Sequence, residues 1–334
     1  MPNVAIESVE GQEWLKAGRP IGGRKGSQIV QILNERGFAV NSLLTRDEWV
    51  ELDRRVLTAA RPQLRIVNAL RSRGLIYKLG GLGSLTSRWY TSSDVTPATI
   101  NMTGRGSNRD LPEMIRKEVP IPVIWKDFEL DMRSLMASRR SGDGLDTAAL
   151  AETSQVIAEA AENLVLGLAA VSNFNGLPLY GILNHPSRNT VSATGDWGTI
   201  ANILTTVTAG ISAAMTDLHY GPYMIYASTN QYNEAALNFY SDGTGDTPRD
   251  RILRLPNVSG FEMLPFLPDG TVALIQMTDD VLDYAEPADF AGMQLREWTS
   301  NDGLASGFKL MMVGAPRIKS RQDGKCGIVH VTGA

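Results

Sequence analysis

The chain has 334 residues and a formal net charge of −4, with 43% apolar and 20% charged residues. This length is enough for one large or two ordinary domains, and the composition is that of a globular protein. The acidic balance gives no support to a dedicated nucleic-acid-binding function, which usually shows an excess of basic residues. The single cysteine, Cys326, excludes an intrachain disulfide and a cysteine-rich zinc site.

Residues 1 to about 35 are polar, carry charges of both signs and contain five glycines. Such a segment cannot bury enough apolar surface to fold alone, so we expect an extended arm. The opening residues include acids and no apolar core run, and the longest apolar stretch, residues 164–171, is too short to span a bilayer. We therefore expect no signal peptide and no membrane span, and a soluble protein made in a reducing cytosol.

After the arm, the pattern predicts a short helix, a long hairpin and an edge strand. The helix is expected to begin near Thr45, a suitable N-cap, and to end before Pro62. Residues 76–110 mix short β-type runs with glycine, serine and threonine, which predicts a two-stranded excursion with a flexible tip. A hairpin of that length is marginal alone, so we expect it to lie on another surface. The prolines of residues 119–125 suit an edge strand.

Residues 146–170 carry the strongest helical pattern of the chain. Leu150, Ile157 and Leu164 recur every seven residues and form one apolar face. A helix of about 25 residues would be about 37 Å long, which indicates a structural spine.

Residues 176–290 predict a compact mixed domain. Its predicted helices are 196–218 and 230–239, and its predicted strands are 223–227, 261–267 and 271–277. Three further strand-like stretches lie between residues 293 and 331. Together the elements predict an α+β fold without internal repeats.

Three histidines are the first candidates for chemistry. His185, His219 and His330 are far apart in sequence, and HExxH is absent. His185 in Asn-His-Pro could place a catalytic imidazole, although a turn-stabilising side chain is the simpler interpretation. Neither a nucleotide-binding glycine motif nor GxSxG can be completed, and the SDGTGD segment lacks the ligand pattern of a calcium loop. We therefore predict no catalytic residue, no cofactor and no metal.

The charges are distributed unevenly along the chain. Six basic residues lie between Arg61 and Arg88 with no acid before Asp94, whereas seven acids between Asp279 and Asp302 face a single arginine. The simpler interpretation is two unrelated solvated faces, and acid–base chemistry at the acidic cluster is a rival interpretation. The alternative hypothesis is that the basic region of one subunit docks on the acidic region of another. Reversing the charges of Arg71 and Arg73 should then block assembly without unfolding the subunit.

The order of elements and four local segments resemble the Hong Kong 97-fold capsid proteins, within the phage capsid and encapsulin-like superfamily. The segments are VPIPVIWKDFEL (119–130), EAAENLV (159–165), YGILNHP (180–186) and HYGPYMIYAS (219–228), the last of which resembles the encapsulin-like branch. The resemblance covers nearly the whole chain beyond the arm.

The resemblance implies a four-part organisation. The parts are an N-terminal arm (1–35), a peripheral domain (36–75, 119–175 and 291–334), an E-loop (76–118) and an axial domain (176–290). The E-loop and its acidic partner region are the expected contacts between subunits. Their candidate residues are Arg71, Arg73, Lys78, Arg88, Trp89, Tyr90, Asp279, Asp280 and Asp283.

The resemblance also implies a structural function. The first expectation is a major capsid protein that assembles with itself, as pentamers and hexamers, into an icosahedral phage head enclosing double-stranded DNA. The virion would be its location after assembly in the host cytoplasm, with DNA contacted non-specifically and a decoration or scaffolding protein as a further partner. The alternative is an encapsulin-type shell that encloses cargo enzymes. The arm favours the viral shell, and an enzyme built on residues 176–290 is the rival of a different class.

Overall fold

The computed structural model describes most of the chain beyond the predicted arm. The described residues are 52, 54–56, 59–60, 64–93, 95, 96, 98, 100, 102, 111–131, 133, 137, 140, 148–174, 176–241, 243–299 and 305–334. The predicted arm, the start of the helix predicted at Thr45 and most of the hairpin tip therefore lie outside the described residues.

Within this part the chain forms fifteen strands and five helices whose ranges are fully described, an α+β composition, and residues 52, 54–56, 59–60, 133, 137 and 140 are also helical. The helices are α1 (Arg65–Ser72), α2 (Ala148–Leu166), α3 (Ile200–Thr216), α4 (Thr229–Leu237) and α5 (Pro248–Leu253). The first eight strands are β1 (Ile76–Leu79), β2 (Thr86–Ser92), β3 (Met114–Pro120), β4 (Val123–Asp131), β5 (Asn173–Phe174), β6 (Leu177–Pro178), β7 (Asn189–Ser192) and β8 (Tyr223–Ala227). The others are β9 (Val258–Met263), β10 (Thr271–Gln276), β11 (Leu282–Pro287), β12 (Met293–Thr299), β13 (Ala305–Val313), β14 (Ala315–Ile318) and β15 (Ile328–Thr332).

The largest sheet has five strands in the order β7-β15-β10-β8-β9. Every residue of β8 and β10 is buried, which explains why β8 is a continuous apolar run and why β10 has apolar residues at all positions between Thr271 and Gln276. Helix α3 covers this sheet, with Trp197, Ile203 and Val207 fully buried between them. The C-terminal strand β15 pairs with β10, so the last residues join the sheet of the predicted axial domain, whereas the predicted boundaries assign residues 291–334 to the peripheral domain.

A second sheet, in the order β12-β13-β4, is backed by helix α2. Phe128 and Phe308 stack on its covered side with ring centroids 5.3 Å apart. Within the described residues helix α2 has 19 residues, about 28 Å, and it ends at Leu166, four residues before the predicted end at residue 170. It ends because Gly167 has a φ of +82° and because Gly181 approaches so closely that a Cβ there would lie 2.1 Å from the Gly167 nitrogen.

A third sheet shows that the protruding two-stranded segment begins later in the chain than the predicted residue 76. Strand β1 pairs in parallel with β11, and β11 pairs with β14, so Ile76–Leu79 belongs to the body of the subunit. Leu79 is buried in a core cluster with Val119 and Ile121, which anchors this strand. The protruding hairpin consists of β2 and β3, paired antiparallel from Thr86↔Pro120 to Ser92↔Met114.

Among the described residues, no helix combines the length and the apolar character that a bilayer crossing requires.

Candidate subunit-contact surface

The β2–β3 hairpin, hereafter the hairpin, has one covered and one exposed face. Ser87 and Val119 on the covered face are buried against the body. Tyr90 and Met114 on the other face are 67% and 65% exposed. Since two strands alone cannot build a core, these apolar side chains form a surface suited to contact with another chain.

Two arginines on the exposed face share one carboxylate. Glu118 pairs with Arg88 at 3.1 Å and with Arg116 at 3.0 Å. Its hydrogen bond with Thr86 and these two cations hold the pKa of Glu118 below its usual value. The hairpin therefore presents net positive charge together with Tyr90, as the predicted contact role requires.

The basic residues that precede the hairpin are engaged within their own subunit. Arg71 lies 2.8 Å from a carboxylate oxygen of Glu286, and the Lys78 ammonium contacts the other oxygen. Arg73 donates to the Ser259 hydroxyl at 3.1 Å. Glu286 is 1% exposed, whereas the Arg71 side chain is well exposed, so reversing the charge of Arg71 would remove one of two cations from a buried carboxylate and leave Lys78 as the other. Arg71 therefore has a contact within its own subunit that the charge reversal would remove, and the expectation that this reversal spares folding stays a prediction.

The acidic cluster divides into buried and exposed members. Asp283 is 1% exposed and accepts a hydrogen bond from Arg317 Nε at 2.6 Å, with the Lys319 ammonium 2.9 Å away. Asp279 keeps a largely exposed side chain, and Asp280 is exposed. A hydrogen bond from Lys319 holds the pKa of Asp279 below its usual value. The interpretation of a solvated cluster is therefore wrong for Asp283. Its cationic partners lie more than thirty residues away in sequence, so the local sequence did not indicate them.

These positions leave a smaller set of candidates for contact between subunits. Trp89 is half-buried beside the body and Asp283 is buried, whereas the other candidates are exposed: Arg71, Arg73, Lys78, Arg88, Tyr90, Asp279 and Asp280. A role of these residues in inter-subunit contact remains a prediction.

His185 stabilises a turn. Its Nδ1 accepts the Ser187 N–H at 3.2 Å, and the ring meets Tyr180 edge-on at 5.8 Å. Burial, together with the Lys117 and Arg188 charges, lowers the pKa of His185 to about 4, so the ring is neutral near pH 7. Among the described residues, no group of three or more acidic, histidine or cysteine side chains is arranged to hold a metal ion.

Glu162 is a buried carboxyl group that the sequence analysis missed. It lies on α2 with no exposed surface, and its two oxygens accept the backbone N–H groups of Ile66 at 3.2 Å and Val67 at 3.1 Å. It therefore satisfies two of the free donors at the start of α1. Burial raises the pKa of Glu162 to about 7. The position of Glu162 on the apolar face of the predicted helix, three residues before Val165, could have indicated a buried acid.

The raised pKa of Glu162 predicts a specific dependence of stability on pH. Because the folded pKa lies above the ordinary value, the protonated side chain is favoured by folding, and its contribution is lost as pH rises from about 4.5 to about 7. We expect the wild type to lose about 3 kcal/mol relative to Glu162→Gln across this window. Urea unfolding of both proteins at several pH values measures the difference. A difference that does not change with pH would contradict the assignment.

Comparison with known proteins identifies relatives. The family described as "Encapsulating protein for peroxidase" matches residues 41–282. The Type 1 encapsulin shell protein EncA of Myxococcus xanthus is 27% identical over 201 residues, which cover 59% of this chain and 65% of that protein, just under two thirds of its length.

Solved structures show the same fold at low identity. The virus-like particle from Pyrococcus furiosus has a TM-score of 0.59 and 16% identity, covering 83% of this chain and 98% of that chain. The capsid of Myoviridae phage XM1 has a TM-score of 0.60 and 11% identity, covering 78% of this chain and 89% of that chain. The predicted α+β fold of the Hong Kong 97 type is confirmed. Since the family match spans well over half of the sequence, the chain belongs to the family of encapsulating proteins, a shell-forming branch of the phage capsid and encapsulin-like superfamily.

Proposed function

We propose that this chain is the shell subunit of an encapsulin-type compartment that assembles in the cytoplasm and encloses a protein cargo. The observation that carries the proposal is the match of residues 41–282 to a family described as encapsulating a peroxidase. A peroxidase-class enzyme is accordingly the first cargo to test.

The exposed surfaces of the subunit support self-assembly. Trp125 and Trp298 are 57% and 41% exposed on the same face of the β12-β13-β4 sheet, opposite the face that α2 covers. Within the described part of the chain, the two-stranded sheet of the hairpin also has unpaired outer edges. Contact with further copies would supply hydrogen-bond partners to the unpaired edges and bury the exposed aromatic side chains. Closed symmetry repeats such contacts around a shell. The axial assignment of residues 176–290, around pentamers and hexamers, is part of the same proposal.

A phage head that encloses double-stranded DNA is the second candidate. The predicted polar arm of residues 1–35 favours it, and the fold is common to phage capsids. The family match favours the encapsulin alternative instead, so the ranking expected from the arm is reversed. DNA and decoration or scaffolding proteins as partners belong to this second candidate alone.

Purified particles distinguish these functions. We expect the full chain to elute at megadalton size and to form closed shells in negative-stain microscopy. Shells purified from the organism that encodes the chain should contain a co-purifying protein, identified by mass spectrometry, and little nuclease-protected nucleic acid. Protected double-stranded DNA would support the phage head in place of the compartment. A small soluble oligomer would contradict both and favour the enzyme rival.

A further inference from the structure

The backbone that enters the hairpin from β1 does not by itself fix the direction of the hairpin. Residues 80–85 join β1 to β2 and include Gly80, Gly81 and Gly83, with a φ of +135° at Gly81. Glycines accept a wide range of backbone angles. At the other end of the hairpin, the Ile121 N–H donates to the Leu85 carbonyl oxygen at 2.9 Å. The direction in which the hairpin leaves the subunit therefore depends on this connection and on side-chain contacts at its base.

One buried arginine makes those contacts. Arg317 on β14 is 3% exposed, and its Nη1 donates to the Ser87 hydroxyl of β2 at 3.2 Å. Its guanidinium carbon lies 3.6 Å from the ring centroid of Tyr77 on β1 and 5.8 Å from that of Trp89 on β2. The remaining donors form a two-pronged pair with Asp283 on β11. A single planar group thus joins the hairpin to all three strands of the β1-β11-β14 sheet.

The geometry of this group is suited to holding an angle. A guanidinium has a rigid fork of donors, so two hydrogen bonds to Asp283 fix where its third nitrogen points. Lys319 lies 2.9 Å from the same carboxylate and holds it in turn. Ser87 and Trp89 are the second and fourth residues of β2, close to the point where the hairpin leaves the body.

We propose that Arg317 is a positioning residue for assembly: it fixes the direction of the hairpin and thereby the curvature and size of the closed shell. This inference rests on the proposed shell function. A seven-residue strand is about 23 Å long, so a tilt of about 10° at its base displaces its end by about 4 Å. That displacement approaches the spacing between paired strands, which is enough to change how a hairpin meets a neighbouring subunit.

The test compares Arg317→Met with Arg317→Lys and a control. Arg317→Met removes the fork, while Lys319 still neutralises Asp283. Arg317→Lys restores the charge but not the fork. Arg254→Met is the control, because Arg254 forms a similar two-pronged pair with Asp246 that does not involve the hairpin. The readouts are the particle diameters in negative-stain images and hydrogen–deuterium exchange of peptides from the hairpin and from β10.

In Arg317→Met we expect amides of β2 and β3 to exchange about tenfold faster, as loss of a hydrogen bond to a charged group implies, while β10 is unchanged. The number of particles with the wild-type diameter should fall at least about tenfold, and open shells or shells of variable diameter should replace them. Arg317→Lys keeps the charge without the fork, so it should also lose the narrow diameter distribution of the wild type while β10 exchange is unchanged. Arg254→Met should match the wild type in both readouts.

Two results would overturn the inference. The first is an Arg317→Met protein whose particle diameters and hairpin exchange rates equal those of the wild type. The second is an exchange rate that rises as much in β10 as in the hairpin, which would indicate that Arg317 stabilises the whole fold. Should Arg317→Met fail to fold, Ser87→Ala removes the hairpin contact alone, and hairpin exchange at the wild-type rate would then count against the inference. If wild-type chains form no closed particles, the shell function fails, whereas the exchange comparison still decides whether Arg317 holds the hairpin.

Discussion

Replacing Glu162 with alanine is expected to lower the free energy of unfolding by about 2–6 kcal/mol at pH 5.5. The side chain accepts the N–H groups of Ile66 and Val67 in a fully buried site, and alanine leaves both donors without a partner. Each buried donor left unpaired costs about 1–3 kcal/mol. Above pH 7 the loss should be smaller, because burial penalises the charged carboxylate that the substitution removes.

Urea unfolding at pH 5.5 and pH 8 measures this effect, and Glu152→Ala is the matched control. Glu152 lies on the same helix with an exposed side chain, so its removal should change stability by less than about 0.5 kcal/mol. Equal stability of the two variants at pH 5.5 would mean that Glu162 does not hold the start of α1. A loss that grows toward pH 8 would contradict the sign of its pKa shift.

The sequence predicted those elements whose pattern is local. Strand Tyr223–Ala227 is a continuous apolar run, strand Thr271–Gln276 has four apolar residues between its polar ends, and the structure buries every residue of both. Helix α2 was predicted from its seven-residue repeat, but its end at Leu166 depends on Gly181, which comes fifteen residues after that end and fits only without a side chain. The extent of the excursion was wrong for the same reason: Ile76–Leu79 pairs with a strand some two hundred residues later.

The ion pairs of the buried acids Asp283 and Glu286 could not be predicted from the sequence, because their partners are distant in the chain. Glu286 pairs with Arg71 and Lys78, which lie more than two hundred residues away in sequence. Because no basic residue is close to Glu286 in the sequence, its local pattern predicted a solvated carboxylate. The uneven charge distribution led us to expect contact between the basic region of one subunit and the acidic region of another, whereas Arg71 and Lys78 contact Glu286 within one subunit. Contact between subunits stays a prediction. Complementary charge in a sequence does not distinguish contact within a chain from contact between chains.

Asp283→Ala should be the most destabilising change in the acidic cluster, at about 3–5 kcal/mol, whereas Asp279→Ala should cost less than about 1 kcal/mol. Both carboxylates contact Lys319, but only Asp283 is buried and pairs with the buried guanidinium of Arg317. Removing Asp283 therefore leaves a buried cation without its carboxylate. Unfolding by urea at pH 7 and a fixed protein concentration compares the two variants.

The double variant Asp283→Ala/Arg317→Met separates the ion pair from the space it occupies. If the cost of Asp283→Ala is that of an unpaired buried cation, removal of the cation should recover about 1–3 kcal/mol. Additive losses would instead attribute the cost to packing alone. Recovery of stability without recovery of the wild-type shell diameter would separate the two consequences of the Arg317–Asp283 pair, because the pair would then stabilise one subunit and orient its hairpin toward the next by independent contacts.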